Sequence, residues 1–257
     1  MSKFRHETPR ALLIAALALL LPGAAFAQGF EDLSLIKSPT AGMIPHGSYM
    51  FEGAIGPDSS LLFGVRVGFF DRLMTGVSFG MQEFIGRGGM TVNDRPGFQA
   101  RLRLLEETVP RPALAIGVDT QGDAAFDEGD DRFERKSKGL YLALSKNYLL
   151  LRNVALHGGV NYSFENKDEG GADLFAGLSI ELFKGMSALL DYTPSLNDND
   201  TRLASCRTRG KGYLDTGIRF DYRENLRIRL LFMDLNGNYN REKGVARSIE
   251  ILFVNNF

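Results

Sequence analysis

The sequence has no tryptophan, a single cysteine (Cys206), and no long apolar run outside its first 27 residues. One cysteine cannot form an internal disulfide. Even the longest apolar run, residues 11–21, has eleven residues, and a transmembrane helix needs about 20. An excess of charge of one sign is also missing, because 30 basic residues face 31 acidic ones and the net charge is −1. This balance gives no support for nucleic-acid binding, so we expect no nucleic-acid partner.

Residues 1–27 have the three regions of a secretory signal peptide. Basic residues precede the apolar run 11–21, and the small-x-small triplet Ala-Phe-Ala at 25–27 stands before Gln28. This pattern predicts export and cleavage after Ala27, and the alternative is an uncleaved anchor helix. Residues 28–46 hold Pro39, Gly42 and Pro45 and predict an irregular periplasmic leader or plug segment.

From residue 47 onwards the chain alternates apolar and polar residues in segments of about ten, separated by turn residues. This period of two is typical of β-strands, and no helical stripe of convincing length appears. Twelve strands are predicted, an even number, as bacterial single-chain barrels require. They are residues 47–55, 60–69, 73–82, 97–106, 112–121, 138–147, 153–164, 172–183, 185–193, 211–222, 225–235 and 245–257.

The two faces of these strands differ consistently in polarity. Charged side chains on a lipid-facing surface cost about 2–4 kcal/mol each for Arg or Lys at the bilayer centre. The shared parity of the charges therefore predicts that they line an interior, which we expect to be a constricted or plugged pore. The predicted lumen-lining charges are Arg66, Arg101, Arg103, Asp119, Glu181, Asp191, Asp215, Arg219, Arg227 and Arg229.

A soluble β-sandwich would show the same alternation with its faces reversed, so other features must decide. The predicted connections alternate between short turns and mostly long polar loops, which is the asymmetry of outer-membrane barrels. The last strand carries Ile251, Phe253 and the C-terminal Phe257, a pattern typical of the assembly signal of such barrels. Together these features predict an all-β fold: a single transmembrane antiparallel up-and-down β-barrel over residues 47–257. We expect it in the outer membrane of a Gram-negative bacterium.

Several short stretches, taken together, resemble a known family. They are SPTA at 38–41, DRL at 71–73, GVSFG at 76–80, RPG at 95–97, QARLRLL at 99–105, PALAIGVDTQG at 112–122, KSKGLY at 136–141, SKNY at 145–148 and LHGGVNYS at 156–163. This set resembles the YjbH-like family of outer-membrane β-barrel proteins associated with exopolysaccharide production. The resemblance implies a non-enzymatic accessory role in producing or exporting an extracellular polysaccharide. Expected partners are outer-membrane lipid and lipopolysaccharide, the barrel-assembly machinery and polysaccharide export components.

Two other functions compete with this interpretation. One is a passive narrow diffusion channel of the porin type. The other is a lipid-modifying enzyme, because His157, Asn161 and Ser163 share one strand and one parity. However, His157 and Ser163 lie six residues apart, about 20 Å along an extended strand at about 3.4 Å per residue. We therefore predict no catalytic residues and no cofactor.

The predicted long loops carry clustered charges. Acidic residues crowd the loop 122–137 without EF-hand spacing, so we predict no metal site there. Nearby basic groups could meet lipopolysaccharide phosphates or an acidic polysaccharide. They are Arg132, Arg135, Lys136, Lys138, Arg202, Arg207, Arg209 and Lys211. Tyrosines near strand ends predict an aromatic girdle at the membrane interfaces: Tyr49, Tyr141, Tyr162, Tyr192 and Tyr222.

Overall fold

The computed structural model describes most of the chain after the predicted signal peptide, which lies outside the described residues. The described ranges are 30–84, 91–93, 95–149, 152–165, 169–203, 206–239 and 244–257. None of these residues belongs to a helix with the length and apolar character needed to span a bilayer. A single turn of 3-10 helix, Pro57–Ser59, lies in the first loop.

Twelve antiparallel strands form a closed up-and-down barrel, which confirms the predicted fold. Each strand pairs with its neighbours in the chain, and β1 pairs with β12 to complete the circle. The strands are β1 Ser48–Ile55, β2 Leu61–Phe69, β3 Leu73–Gln82, β4 Gly97–Leu105, β5 Ala113–Asp119, β6 Gly139–Leu149, β7 Asn153–Tyr162, β8 Ala172–Phe183, β9 Met186–Thr193, β10 Tyr213–Tyr222, β11 Leu226–Met233 and β12 Ala246–Asn256. The short strand Thr91–Val92 adds to the end of β3.

Side-chain alternation decides which face of each strand points outward. In β6, Leu140 and Leu142 are exposed, whereas Tyr141 and Ala143, which alternate with them, are buried in the barrel. The exposed apolar residues of neighbouring strands meet across the outer surface, as Phe51 of β1 does with Phe63 of β2 at 6.2 Å between ring centroids. Such cross-strand pairs stabilise the sheet and give lipid an apolar surface.

The inward position of Tyr141 corrects one prediction. Tyr141 was expected in the interfacial girdle, but it is only 3% exposed. Its hydroxyl accepts a hydrogen bond from Arg101 Nε at 2.8 Å. Parity explains the error, because Tyr141 alternates with the outward-facing leucines of its strand.

The connections divide into two ends of the barrel, called here the short-turn end and the long-loop end. At the short-turn end, Phe70 and Asp71 join β2 to β3 with positive φ angles of 53° and 57°. Two consecutive positive φ angles are what a type I′ turn requires. At the long-loop end, the β5–β6 loop contains a hairpin of its own, Asp123–Asp127 paired with Arg132–Arg135. This hairpin is called the loop hairpin below.

Candidate functional site

Residues 30–46, called the lumen segment below, lie inside the barrel. The segment folds back on itself: Leu35 N donates to Ser38 O at 2.9 Å, and Thr40 N donates to Leu33 O at 3.1 Å. Its first residues and its last residue lie at the short-turn end, where Phe70 N donates to His46 Nδ1 at 3.0 Å. The turn therefore points up the lumen towards the long-loop end.

One carboxylate holds the turn of the lumen segment. Asp191 of β9 accepts hydrogen bonds from the backbone N–H groups of Lys37 at 2.9 Å and Ser38 at 2.8 Å, and from Ile36 at 3.2 Å. The Ser38 hydroxyl donates to the same carboxylate at 2.5 Å. Asp191 is fully buried. Four donors satisfy a charge that would otherwise be costly in this position.

Arginines from opposite parts of the wall bind the carbonyl groups of the lumen segment. Arg101 donates to Gly42 O at 2.6 Å and to Leu33 O at 2.8 Å. Across the lumen, Arg229 donates to the carbonyls of Ser34 and Leu35, each at 2.9 Å. An irregular backbone buried in a barrel needs such partners, because a buried peptide group without a hydrogen bond is costly.

Ion pairs fix the base of the lumen segment near the short-turn end. Asp32 pairs with Arg227 at 2.6 Å and also with Arg219. The Arg227 guanidinium lies 4.1 Å above the ring of Phe30, a cation–π contact. On the other side, Arg103 pairs with Glu31. Charges on the wall thus meet opposite charges on the lumen segment.

The other predicted lumen charges also face inward and have partners. Arg66 pairs with Glu52, and Asp119 accepts a hydrogen bond from Gln121 N at 2.9 Å. Glu181 accepts from Asn153 Nδ2 at 2.5 Å. Asp215 pairs with Arg135 of the loop hairpin at 2.7 Å. All ten predicted lumen charges therefore have a hydrogen-bond or ion-pair partner inside the barrel.

Apolar contacts complete the packing of the lumen segment. Leu35 and Ile36 pack against Leu189, Leu231 and Met233 of the wall. Nearer the short-turn end a second cluster joins Leu33, Met43 and Ile44 to Met50, Met74, Leu252 and Val254. Gly177 leaves room for Leu35 in the first cluster, because a Cβ at Gly177 would stand 2.2 Å from Leu35 Cδ2. The inner wall is shaped to this segment.

The loop hairpin closes the lumen from the other end. Lys37, at the turn of the lumen segment, pairs with Asp123 of the hairpin at 2.9 Å. Arg132 makes a two-pronged hydrogen bond with Asp198 of the β9–β10 loop, at 2.9 and 2.7 Å. Both of these side chains are buried. The lumen segment and the loop hairpin meet inside the barrel and leave the lumen filled.

The proposed catalytic triplet does not come together, but a different serine–histidine pair exists. Ser145 Oγ lies 2.8 Å from His157 Nδ1, while the same oxygen accepts the N–H of Ala41 at 2.8 Å. Both side chains are buried beneath the lumen segment. His157 Nε2 has no partner among the described residues, so no third group orients the imidazole. In this arrangement a substrate cannot reach the hydroxyl.

One group of metal-type ligands occurs in the described loops: Glu169, Asp198 and Cys206, whose ligand atoms lie within 4.8 Å of each other. Asp198 is already engaged by Arg132, and Glu169 accepts the backbone N–H groups of Asn199 and Asp200. These existing bonds account for both carboxylates. The acidic residues of the loop hairpin also have cation partners, since Asp127 and Asp130 both pair with Arg207.

The predicted C-terminal assembly signal lies on the outer surface of β12. Ile251 is 49% exposed and Phe257 83% exposed. The Phe257 ring lies 5.2 Å from that of Tyr49 on β1, and Phe257 N donates to Gly47 O at 2.9 Å. Phe253 shares the outward parity. Recognition by the assembly machinery remains a prediction.

The sequence does not reveal which residues of the lumen segment bind the charged side chains of the barrel wall and the loop hairpin. Glu31, Asp32 and Lys37 stand in a segment without periodic pattern, so nothing local indicates which way they point. The serine of the Ser145–His157 pair was also missed, although both residues have inward parity in the strand pattern.

No protein-family model matches the chain, and no curated protein is found to match it. Solved structures do match. The NanC porin is 13% identical with a TM-score of 0.46, over 81% of this chain and 99% of the porin. An outer-membrane channel from Pseudomonas putida F1 is 14% identical with a TM-score of 0.45, over 90% of this chain and all of that one. The translocator domain of the autotransporter NalP from Neisseria meningitidis is 12% identical with a TM-score of 0.38, over 96% of this chain and 94% of that domain.

These identities are too low to identify a relative, so the assignment rests on the strand pairing itself. That pairing closes a sheet of twelve strands with exposed apolar residues on its outer face and charges within. The protein is a twelve-stranded β-barrel of the outer-membrane type.

Proposed function

We propose that this protein is a non-enzymatic barrel of the Gram-negative outer membrane that takes part in exopolysaccharide production or export. One observation supports the proposal: four of the nine stretches that resemble the YjbH-like family contact one another in the lumen. The SPTA stretch lies in the lumen segment, where Ala41 contacts Ser145 of the SKNY stretch and Arg103 of QARLRLL. His157 of LHGGVNYS bonds the same serine. These four stretches therefore pack together around the lumen segment.

The filled lumen favours an accessory role over that of a conduit. A sugar chain cannot pass a lumen occupied by the lumen segment and capped by the loop hairpin. Lipid and lipopolysaccharide would contact the outer face, and export components would meet the barrel at either end. In this proposal the long loops present the surface that handles polymer outside the cell.

Deletion of the gene in its native host tests the proposal. We expect secreted polysaccharide to change in amount or chain length, while the uptake of small solutes stays normal. Complementation with the intact gene should restore secretion, and a double Arg101→Ala, Arg103→Ala variant should restore it less well, because both arginines hold the lumen segment. Unchanged polysaccharide in the deletion strain would refute the proposed role.

A narrow diffusion channel is the second candidate. The lumen segment is held by hydrogen bonds, ion pairs and packing, so its release would expose a wall lined by arginines. Recordings in planar bilayers separate the two candidates. We expect the intact protein to be silent and a variant lacking residues 30–44 to give conductance steps. Steps from the intact protein, with ion selectivity altered by Arg101→Glu, would instead favour the channel.

The lipid-modifying alternative depends on His157, whose Nδ1 lies 2.8 Å from the hydroxyl of buried Ser145. We expect His157→Ala to leave the lipid A and phospholipid composition of the host unchanged. Ser145→Ala serves as the matched variant. A lipid product lost in both variants would establish the enzyme.

A further inference from the structure

A small polar cavity lies at the long-loop end of the barrel, above the turn of the lumen segment. Its volume is about 20 Å³, and its walls come from the β5–β6 loop, the ends of β7, β8 and β9, the β9–β10 loop and the start of β10. Roughly 10–15 Å³ is enough for one water molecule on this measure. The cavity thus accepts a group of a few polar atoms, not a whole sugar.

Three buried polar atoms of the cavity residues have no partner among the described residues. They are Arg135 Nη2, Asn161 Oδ1 and Tyr213 Oη. Asn161 and Tyr213 are each 3% exposed. A buried donor or acceptor without a partner costs about 1–3 kcal/mol. All three atoms belong to residues that line one cavity, which can therefore hold a polar group.

The charge of the walls indicates the sign of that group. Lys138 Nζ donates to Thr193 Oγ1 at 3.2 Å and forms no ion pair with a described carboxylate. Lys136 Nζ also lacks a carboxylate partner in the described loops and donates to the carbonyls of Glu169 and Asn197. Of the two acids in the walls, Asp198 is paired with Arg132.

The other acid, Asp173, accepts the backbone N–H groups of Leu174 and Leu196, each at 2.9 Å. The walls therefore hold two lysines without an ion-pair partner but only one such acid. This excess of positive charge favours an anionic ligand. Arg135, Lys138 and Tyr213 can still donate hydrogen bonds, and the oxygens of an anion can accept them. Asn161 Oδ1 can still accept a hydrogen bond, which a hydroxyl can donate.

We propose that this cavity binds the carboxylate and a neighbouring hydroxyl of a hexuronic acid unit in an acidic extracellular polysaccharide. The carboxylate accepts from Arg135 and Lys138, the hydroxyl donates to Asn161, and the rest of the sugar lies outside among the long loops. The choice of sugar rests on the proposed function, whereas the preference for an anion rests on the cavity alone.

The test is titration of the mature protein in detergent with D-glucuronate, followed by saturation-transfer NMR, with D-glucose and inorganic phosphate as comparison ligands. We expect glucuronate to bind and glucose not to bind. Lys138→Met should weaken glucuronate binding at least tenfold, and Tyr213→Phe, which removes one hydroxyl and keeps the ring, should weaken it several-fold. Lys184→Met is the matched control, because Lys184 is an exposed lysine in the short turn between β8 and β9, outside the cavity and at the other end of the barrel.

Several outcomes would overturn the proposal. Equal binding of glucose and glucuronate, or binding unchanged in both cavity variants, would show that the cavity does not select the carboxylate. If phosphate binds as tightly as glucuronate at the same residues, the cavity holds an adventitious ion only and is not a hexuronate site. Circular dichroism of each variant separates lost binding from lost folding. If deletion of the gene changes secretion and glucuronate still fails to bind, the proposed function stands and this site falls.

Discussion

At the residue scale, Asp191 is the most informative single side chain. Its carboxylate receives four hydrogen bonds from the turn of the lumen segment and is fully buried. Asp191→Asn keeps the shape but removes the charge and replaces one acceptor by a donor. We expect the segment to lose about 1–3 kcal/mol of local stability. Hydrogen-exchange mass spectrometry of residues 30–46 should show faster exchange.

The control for this variant is Glu224→Gln, which makes the same chemical change on an exposed side chain in a short turn. It should leave the exchange of the lumen segment unchanged. Equal exchange in Asp191→Asn and the parent protein would mean that Asp191 does not anchor the turn.

Lys138 gives a pH-dependent prediction. Burial, with the nearby Arg135 cation, lowers the pKa of Lys138 to about 8, while the carboxylates of Asp173, Asp191 and Asp215 oppose the shift. Between pH 8 and the ordinary value of 10.5 the unfolded chain holds a proton that the folded chain has lost. Stability therefore rises with pH across this window. The thermal midpoint of the parent should rise relative to Lys138→Met between pH 7 and pH 10.

The comparison with Lys138→Met cancels the titration of groups that do not interact with Lys138. Parallel midpoints in the two proteins over this range would show that Lys138 keeps an ordinary pKa in the fold.

At the scale of elements, the lumen segment and the wall fit closely at a glycine. Gly68 of β2 faces the segment, and a Cβ there would lie 2.3 Å from Pro45 O and 2.5 Å from Ile44 O. Gly68→Ala must push the backbone of the segment away, which costs about 1–3 kcal/mol as overpacking does. We expect protease to cut residues 30–46 faster in this variant.

Gly53 of β1 provides the matched substitution. A Cβ at Gly53 meets no atom within 4 Å, and the residue shares the outward parity of its strand. Gly53→Ala should leave the cutting rate unchanged. Similar rates for the two variants would contradict the close fit at Gly68.

The strands could be predicted from the sequence because side chains along a barrel strand alternate between the apolar outer surface and the polar lumen. Leu61 to Phe69 and Leu226 to Met233 begin and end within two residues of the predicted bounds. The inward direction of the ten predicted lumen charges follows from the same alternation. The prediction for Tyr141 is wrong because closeness to a strand end suggests the girdle, whereas the alternation of its strand turns Tyr141 inward.

The interior could not be predicted in the same way. The lumen segment lacks a period, so its turn at Leu35 to Ser38 and its partners across the barrel depend on contacts more than 150 residues apart, such as Ser38 with Asp191. The loop hairpin was expected as an open loop. Its inward position depends on long-range pairs, Lys37 with Asp123 and Arg135 with Asp215, which no local pattern reveals.

At the scale of the whole molecule, the outer face requires lipid or detergent. Phe63, Leu102 and Ile251 are 43–49% exposed on that face. We predict that the purified mature protein is monodisperse in detergent micelles and aggregates when detergent is removed, because contiguous apolar surface of this kind associates in water. Size-exclusion chromatography with light scattering measures this directly. A monodisperse monomer in plain buffer would refute the transmembrane assignment.

The seam between the first and last strands fixes an order of events during biogenesis. β1 follows the lumen segment after a single residue, Gly47, and pairs with β12 from Ser48 opposite Asn256 to Ile55 opposite Ile249. When β1 and β12 pair, the closed barrel encloses the lumen segment. The apolar residues Leu35 and Ile36, which are synthesised early, are therefore fully covered only after the last strand has paired.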